Sequence, residues 1–255
     1  MQARYYLDSK LIAAMRWLGF DIHRRSLAHS GAVRLGAMLR NHGINLVLDV
    51  GANVGQFGRE LRDNYSYTER IVSFEPLQAA HAVLSADAAK DPLWDVAPVG
   101  AIGASDGEVE INVAANSVSS SILPMLESHS SVAPHSRRLG VEKVPLRRLD
   151  TVAADYIDER SVIFLKIDTQ GYERQVLDGA SRILPRLMGI HLELSLVPLY
   201  AGQQLMPELI KFMDHAGFDL WDISSDLVDP SSGRVLQFNA TFFRRQDAAR
   251  PCAWD

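Results

Sequence analysis

The sequence predicts an α/β fold, a mostly parallel sheet with helices on its faces and an antiparallel pair of strands at one edge. From Ile44 onward, short apolar runs alternate with helical patterns, as expected when crossover helices join parallel strands. The strand pattern that begins at Val162 is fully apolar, which is typical of a strand buried on both faces. The last two strand patterns, 218–223 and 235–243, are joined by the turn sequence DPSSG, which predicts the antiparallel edge pair.

Length and composition fit one large domain. The chain has 255 residues, 47% of them apolar, and its 26 Lys plus Arg against 31 Asp plus Glu give a net charge of −5. This mild acidity argues against a general nucleic-acid binder, because no basic stripe is evident. The single cysteine, Cys252, excludes a disulfide framework and a cysteine metal cluster. We expect a cytoplasmic protein.

The chain divides into three parts. Residues 1–43 carry two helical patterns and predict a helical cap that packs on the core, with a substrate wall or a homodimer surface as alternatives. Charged residues interrupt the apolar positions of this cap, so we expect neither a signal peptide nor a stable membrane span. The α/β domain is expected over 44–243, and residues 244–255 predict a polar tail.

The sequence VLDVGANVGQFG at 47–58 predicts a ligand site made of a buried strand, a glycine-bearing turn and the start of a helix. Glycine lets a ligand approach the backbone, and the first N–H groups of a helix are unpaired. No Lys follows Gly55, which argues against a nucleoside triphosphate. Asn53 stands where a dinucleotide site needs its second glycine, which argues against NAD. A ligand with a ribose, an adenine and an amino-acid end remains, which is S-adenosylmethionine.

A second signal for that ligand is Glu75, 24 residues beyond Gly51 and at the end of the next apolar strand. At about this spacing a carboxylate receives the ribose hydroxyls of a bound nucleotide. The alternative is that Glu75 only caps the helix that follows from Leu77. After the third strand pattern, small residues around Ala101 would let an adenine lie against the backbone, although they also suit a plain turn.

Residues 115–140 form a polar segment, rich in Ser and His, that is too long for an ordinary connection. We predict a lid or an acceptor-binding loop, with a mobile linker as the alternative. Its candidate substrate residues are Ser121, His129 and His135. Side chains of this kind both donate and accept hydrogen bonds, which favours a polyhydroxylated acceptor.

Polar residues at the ends of two later strands are the catalytic candidates. Asp168 follows the apolar strand from Val162 and should face the same crevice as the glycine turn, unless it is the N-cap of the next helix. His191 and Glu193 share one face of the strand pattern 189–196. A lone His there is more often a satisfied core group, but polar side chains on a central strand are costly unless they are paired or used.

These motifs together resemble one known family. The sequences VLDVGANVGQFG, SFEPL, LKIDTQGYERQVLDGA and HLELS, in this order over about 44–243, are similar to those of the FkbM-type S-adenosylmethionine-dependent methyltransferases. The resemblance implies the seven-stranded, Rossmann-like class I methyltransferase fold. It also implies methylation of hydroxyl oxygens on sugars and polyketide-type natural products. The cofactor residues that it implies are Asp49, Gly51, Asn53, Gly55 and Glu75. The segment 166–173 matches the family pattern KxDxxGxE, with Gln170 at a position where Glu is common.

On this basis we expect the enzyme to place an acceptor hydroxyl in line with the donor methyl group, helped by a base. The first candidate for that base is His191, followed by Glu193 or Asp168. In an alternative mechanism, Asp168 and Glu193 hold a Mg²⁺ ion that lowers the pKa of the hydroxyl.

The expected acceptor is a sugar of a glycolipid, a polysaccharide or a glycosylated natural product. A non-sugar secondary metabolite is the alternative acceptor, and a non-catalytic cofactor-binding protein is the alternative class.

Overall fold

The computed structural model of the chain describes residues 2–20 and 25–246. Its helices are α1 (Gln2–Trp17), α2 (Gly31–Asn41), α3 (Gln56–Asp63), α4 (Gln78–Ala88), α5 (Glu127–Ser130), α6 (Leu149–Val152), α7 (Glu173–Gly179) and α8 (Met206–His215). Its strands are β1 (Leu46–Val50), β2 (Arg70–Phe74), β3 (Trp94–Val96), β4 (Ala101–Ile102), β5 (Gly107–Ala114), β6 (Arg138–Arg147), β7 (Ile163–Ile167), β8 (Leu187–Ser195), β9 (Phe218–Ser225) and β10 (Gln237–Arg244).

The main sheet has seven strands in the order β3-β2-β1-β7-β8-β10-β9. Within this sheet β3, β2, β1, β7 and β8 run parallel to one another, and β10 is antiparallel to both β8 and β9. The mostly parallel sheet with an antiparallel edge pair is therefore confirmed. Because β1 and β7 are neighbours in register, with Val50 opposite Ile167, the loops that follow them meet at one edge of the sheet.

Apolar side chains cover both faces of this sheet. All five residues of β1 and of β7 are buried, as expected for central parallel strands between two helical layers. Along β1, Leu46, Leu48 and Val50 join one core cluster while Val47 joins the other, so alternate side chains serve opposite faces. The rigid centre of the sheet thus fixes the position of the loops at its carboxyl edge.

A second, three-stranded sheet was not predicted. Strand β6 pairs with β4 in parallel and with β5 in antiparallel orientation, and the side chains of Ile111, Val144 and Leu146 pack with Leu77 at the start of α4. The segment 115–140 connects β5 to β6. It is folded there, with α5, two short 3₁₀ helices and several buried polar side chains, namely Ser119, Ser121, His129 and Ser136.

The N-terminal cap contributes α2 to the wall beside the carboxyl edge of the sheet. Ser30 caps this helix by accepting a hydrogen bond from the Val33 N–H, and Arg34 pairs with Asp222 of β9 at 2.9 Å. Within the described residues, no helix combines the length and apolarity needed to span a bilayer. The predicted polar tail lies outside the described residues from 247 on, and its first residue, Arg244, completes β10.

Candidate functional site

A cavity of about 470 Å³ opens at the carboxyl ends of the parallel strands. This is the volume of a small-molecule site, and the place is where open α/β sheets bind ligands. Most of the predicted site residues line it: Gly51, Asn53, Glu75, Ala101, Ser121, Asp168 and His191. The other predicted residues, Asp49, Gly55, Glu193, His129 and His135, are outside the lining.

The glycine turn depends on backbone conformations that side chains disfavour. Gly51 has φ +76°, and a Cβ there would stand 1.8 Å from the carbonyl oxygen of Asp168. Gly55 has φ +90° and is the N-cap of α3, and Asn53 between them is also left-handed at φ +48°. The turn therefore lies flat against the loop after β7, which keeps its backbone open to the cavity.

Glu75 is buried at the tip of β2, and both of its carboxylate oxygens accept backbone hydrogen bonds. Oε2 accepts from the Asn53 N–H at 2.8 Å, and Oε1 accepts from the Leu77 N–H at 2.9 Å. Burial raises the pKa of Glu75 to about 7, against the lowering effect of these two N–H groups. The carboxylate thus contacts the helix entry at Leu77 and also ties the glycine turn to the cavity wall.

A buried ion pair lies behind the turn. Asp49 is fully buried, accepts a hydrogen bond from the Ser73 hydroxyl at 3.2 Å and lies 3.1 Å from Nζ of Lys166. Nζ also donates to the Gly51 carbonyl at 3.0 Å. Burial alone would lower the pKa of Lys166, but Asp49 and Asp168 outweigh it and the pKa is raised. Asp49 therefore acts on the cavity through a lysine that fixes the start of the turn.

His191 lies half-buried on β8 at the opposite side of the cavity. Its Nδ1 is 2.8 Å from the Thr241 hydroxyl, and its ring stacks on Phe57 at a centroid distance of 6.0 Å. Burial, with the nearby Lys166 ammonium, lowers the pKa of His191 to about 4. The imidazole is therefore neutral at pH 7 and is held in one orientation.

Asp168 and Glu193 are joined by an amide rather than arranged around a cation. Nε2 of Gln170 donates to Oδ1 of Asp168 and to Oε2 of Glu193, both at 2.8 Å. A Mg²⁺ ion needs oxygen ligands, and an N–H₂ group between the two carboxylates opposes it. Among the described residues, no group of three or more His, Cys, Asp or Glu side chains is arranged to hold a metal. The residues do not fit the predicted Mg²⁺ site.

The two carboxyl groups also differ in environment. The Asp168 side chain is 38% exposed and faces the cavity, and it is not the N-cap of α7, since that helix begins after Tyr172. Glu193 lies behind Gln170 and also accepts from Nε2 of Gln237 at 2.8 Å. Burial, with Asp168 and Asp226 nearby, raises the pKa of Glu193 well above its ordinary value. Of the two, Asp168 is the one placed to meet a ligand.

The predicted substrate residues of the loop 115–140 take different positions. Ser121 lines the cavity and donates to the Gln170 carbonyl at 2.7 Å. His129 is buried between Ser136 and Tyr200, at 3.2 and 3.3 Å, and His135 is exposed away from the cavity lining. A substrate role for these two histidines stays a prediction, and their observed contacts do not add to it.

Several residues that contact the site were not predicted from the sequence. Ser117 of the loop donates to Oδ1 of Asn53 at 3.2 Å and so places the loop over the glycine turn. The Thr241 and Tyr200 hydroxyls fix His191 and Gln170 respectively. No spacing rule signals these contacts, because they join segments 30 to 64 residues apart.

Comparisons with known proteins agree with the resemblance. The model of the methyltransferase FkbM domain family matches residues 49–220. A search of curated proteins gave no match. The methyltransferase FkbM from Methylobacillus flagellatus KT is 13% identical, with a TM-score of 0.49, and the alignment covers 78% of this chain and 44% of that one.

Two further solved structures are similarly distant. An rRNA methylase from Streptococcus thermophilus is 10% identical, with a TM-score of 0.44 and coverage of 88% of this chain and 100% of that one. TehB from Haemophilus influenzae is 11% identical, with a TM-score of 0.46 and coverage of 88% and 64%.

Proposed function

Because the chain belongs to the FkbM methyltransferase family, we propose that it transfers the methyl group of S-adenosylmethionine to a hydroxyl oxygen of a sugar. The observation that carries this proposal is one cavity with a glycine turn and Glu75 on one side and a neutral His191 on the other. The first side suits a nucleoside donor, and the second suits the deprotonation of an alcohol. Its fold is that of the class I methyltransferases, with the predicted seven-stranded sheet.

The cavity fits the donor on several counts. The backbone at Gly51 and Asn53 lines it, Glu75 presents a carboxylate that two N–H groups orient, and Ala101 leaves room for a flat ring. Ribose hydroxyls would donate to the remaining lone pairs of Glu75. When bound, S-adenosylmethionine supplies an activated methyl group on its sulfonium. The protein then has to orient the acceptor and to exclude water.

On the acceptor side, we propose His191 as the base. In the tautomer that carries its proton on Nδ1, that atom donates to the Thr241 hydroxyl and leaves Nε2 to receive the proton of the acceptor. The lowered pKa keeps Nε2 unprotonated throughout the neutral range. A positioned base contributes roughly 10²- to 10⁴-fold to the rate, and the low pKa of His191 favours the lower end of that range. Asp168 is the second choice because it lines the cavity, whereas Glu193 does not.

A sugar acceptor is supported by the polar wall opposite the turn. Carboxylate, amide and hydroxyl side chains line it and offer both acceptors and donors to a polyol: Asp222, Ser224, Asp226, Asn239 and Thr241. The net charge of −5 supports a small acceptor over an RNA. A cytoplasmic location and a homodimer stay predictions from the sequence.

The test is a methyl-transfer screen of glycolipids, oligosaccharides and glycosylated natural products, read by mass. We expect one methyl group on a sugar hydroxyl and an equal amount of S-adenosylhomocysteine. Methylation of a non-sugar metabolite alone would refute the sugar assignment. Calorimetric binding of S-adenosylmethionine with no product from any acceptor would favour a non-catalytic binding protein, and binding of NAD instead would refute the donor assignment.

A further inference from the structure

The side chain of Gln170 lies at the centre of a buried hydrogen-bond network beneath the cavity. Both of its N–H groups are used, at 2.8 Å to Asp168 and 2.8 Å to Glu193. Its Oε1 accepts from the Tyr200 hydroxyl, also at 2.8 Å. This orientation of the amide is the favoured one, because rotation by 180° would place its oxygen against the Asp168 and Glu193 carboxylates and remove the Gln170 donor from both.

The backbone at this position is also held in an uncommon conformation. Gln170 has φ +55°, and its carbonyl accepts from the Ser121 hydroxyl at 2.7 Å. Next to it, Oε1 of Glu173 accepts from the backbone N–H groups of Thr169 and Gly171, at 3.1 and 3.0 Å. A left-handed non-glycine residue persists only where its surroundings over-determine it. This turn therefore aims the Gln170 side chain at Asp168 with little freedom.

Gln170 bonds one carboxylate oxygen of Asp168, and Lys166 lies near the other. The two charged groups are 3.7 Å apart between Nζ and Oδ2, longer than the 2.7–2.9 Å of a charge-assisted hydrogen bond. Both side chains line the same cavity. We propose that Gln170 is a positioning residue that holds the Asp168 carboxylate toward the cavity and away from Lys166.

This inference rests on the proposed function, because the held carboxylate is the one that would meet the acceptor hydroxyl. Without the amide, Asp168 would turn onto Lys166, and their 3.7 Å ion pair would shorten to a direct hydrogen bond. The acceptor would then lose a hydrogen-bond partner at the reacting end of the cavity. Donor binding should change little, because the Glu75 carboxylate accepts its hydrogen bonds from Asn53 and Leu77 rather than from Gln170. Lys166 has three N–H donors, so its bond to the Gly51 carbonyl can persist beside a new one to Asp168.

The test compares Gln170→Leu with Gln237→Leu. Each substitution removes one amide donor from Oε2 of Glu193, but only the first removes the donor to Asp168. We expect Gln170→Leu to lower kcat about 10²-fold, as for a misplaced catalytic group, with the Kd of S-adenosylmethionine within about threefold of wild type. Its crystal structure should show Asp168 within about 3 Å of Lys166. Gln237→Leu should keep both the rate and the position of Asp168.

Equal losses of kcat in the two variants would overturn the proposal, as would an unmoved Asp168 in Gln170→Leu. If Gln170→Leu does not fold, Tyr200→Phe serves instead, because it keeps the Gln170 amide and removes the hydroxyl that holds its oxygen. We then expect a smaller loss of kcat, with Asp168 in two conformers. An unchanged kcat in Tyr200→Phe would overturn the proposal. A wild-type protein without methyl transfer would refute the proposed function, and the crystal structures alone would then decide the role of Gln170.

Discussion

We predict that Glu75 makes the binding of S-adenosylmethionine depend on pH. In the proposed function the ribose hydroxyls would bind the ionised carboxylate, and burial raises the pKa of Glu75 to about 7. Glu75 is then ionised in about one-tenth of the protein molecules at pH 6 and in about nine-tenths at pH 8. The Kd of S-adenosylmethionine should therefore be about tenfold lower at pH 8 than at pH 6. Glu75→Gln should bind more weakly at pH 8 and lose this pH dependence.

The raised pKa of Glu75 also predicts how the free energy of unfolding changes with pH. The folded-state pKa of Glu75 lies above its ordinary value of 4.5, so the folded protein holds its proton more tightly than the unfolded chain. The free energy of unfolding should fall by roughly 3 kcal/mol for this group as the pH rises from 4.5 through 7. Glu75→Gln should remove that part of the slope in urea titrations.

Calorimetry from pH 6 to 8 is the assay, and Glu173→Gln is the matched control. Burial raises the pKa of Glu173 to about 7 as well, but this side chain bonds the loop at Thr169 and Gly171 and is not among the cavity-lining residues. Its variant should change the stability profile and keep the tenfold dependence of the Kd. A Kd that is flat in the wild type, or still tenfold dependent in Glu75→Gln, would refute the assignment of Glu75 to the ribose.

Four further predictions concern the turn, the base and the metal. Gly51→Ala should abolish the binding of S-adenosylmethionine in calorimetry and destabilise the protein in urea titrations by more than the control Gly202→Ala. Both glycines have φ near +80°, but only at Gly51 would the added Cβ stand 1.8 Å from a carbonyl oxygen. His191→Ala should lower kcat by roughly 10²- to 10⁴-fold and keep the donor Kd; near wild-type turnover would make the base assignment wrong. In the wild type, protonation of His191 should not lower kcat between pH 8 and 6, since its pKa is about 4. Exhaustive EDTA treatment should leave kcat unchanged, and a loss that added Mg²⁺ restores would contradict the network around Gln170.

The sequence was sufficient for the parts of the fold that local patterns determine. Apolar runs and glycine turns located the strands of the main sheet to within a few residues, and they placed Gly51, Glu75 and Asp168 at one edge. The second sheet was missed because its pairing joins β5 to β6 across the long segment 115–140. Sequence periodicity does not show which distant strand a half-exposed strand will join.

Side-chain contacts between distant segments account for the differences at the site. His129, whose substrate role stays a prediction, contacts Tyr200, 71 residues away, and lies outside the cavity lining. The pair Asp168 and Glu193 suggested a metal site, but the amide that separates them belongs to Gln170, whose direction depends on a left-handed backbone. The role of each side chain depends on its hydrogen-bond partner, and residue type and sequence spacing do not determine that partner.

A crystal structure with S-adenosylhomocysteine bound tests the central claim most directly. We predict the ribose hydroxyls on the carboxylate of Glu75, the nucleoside against the turn at Gly51, and the sulfur directed toward His191 and Asp168. A nucleoside bound elsewhere in the cavity, or a sulfur that points away from His191, would contradict the account.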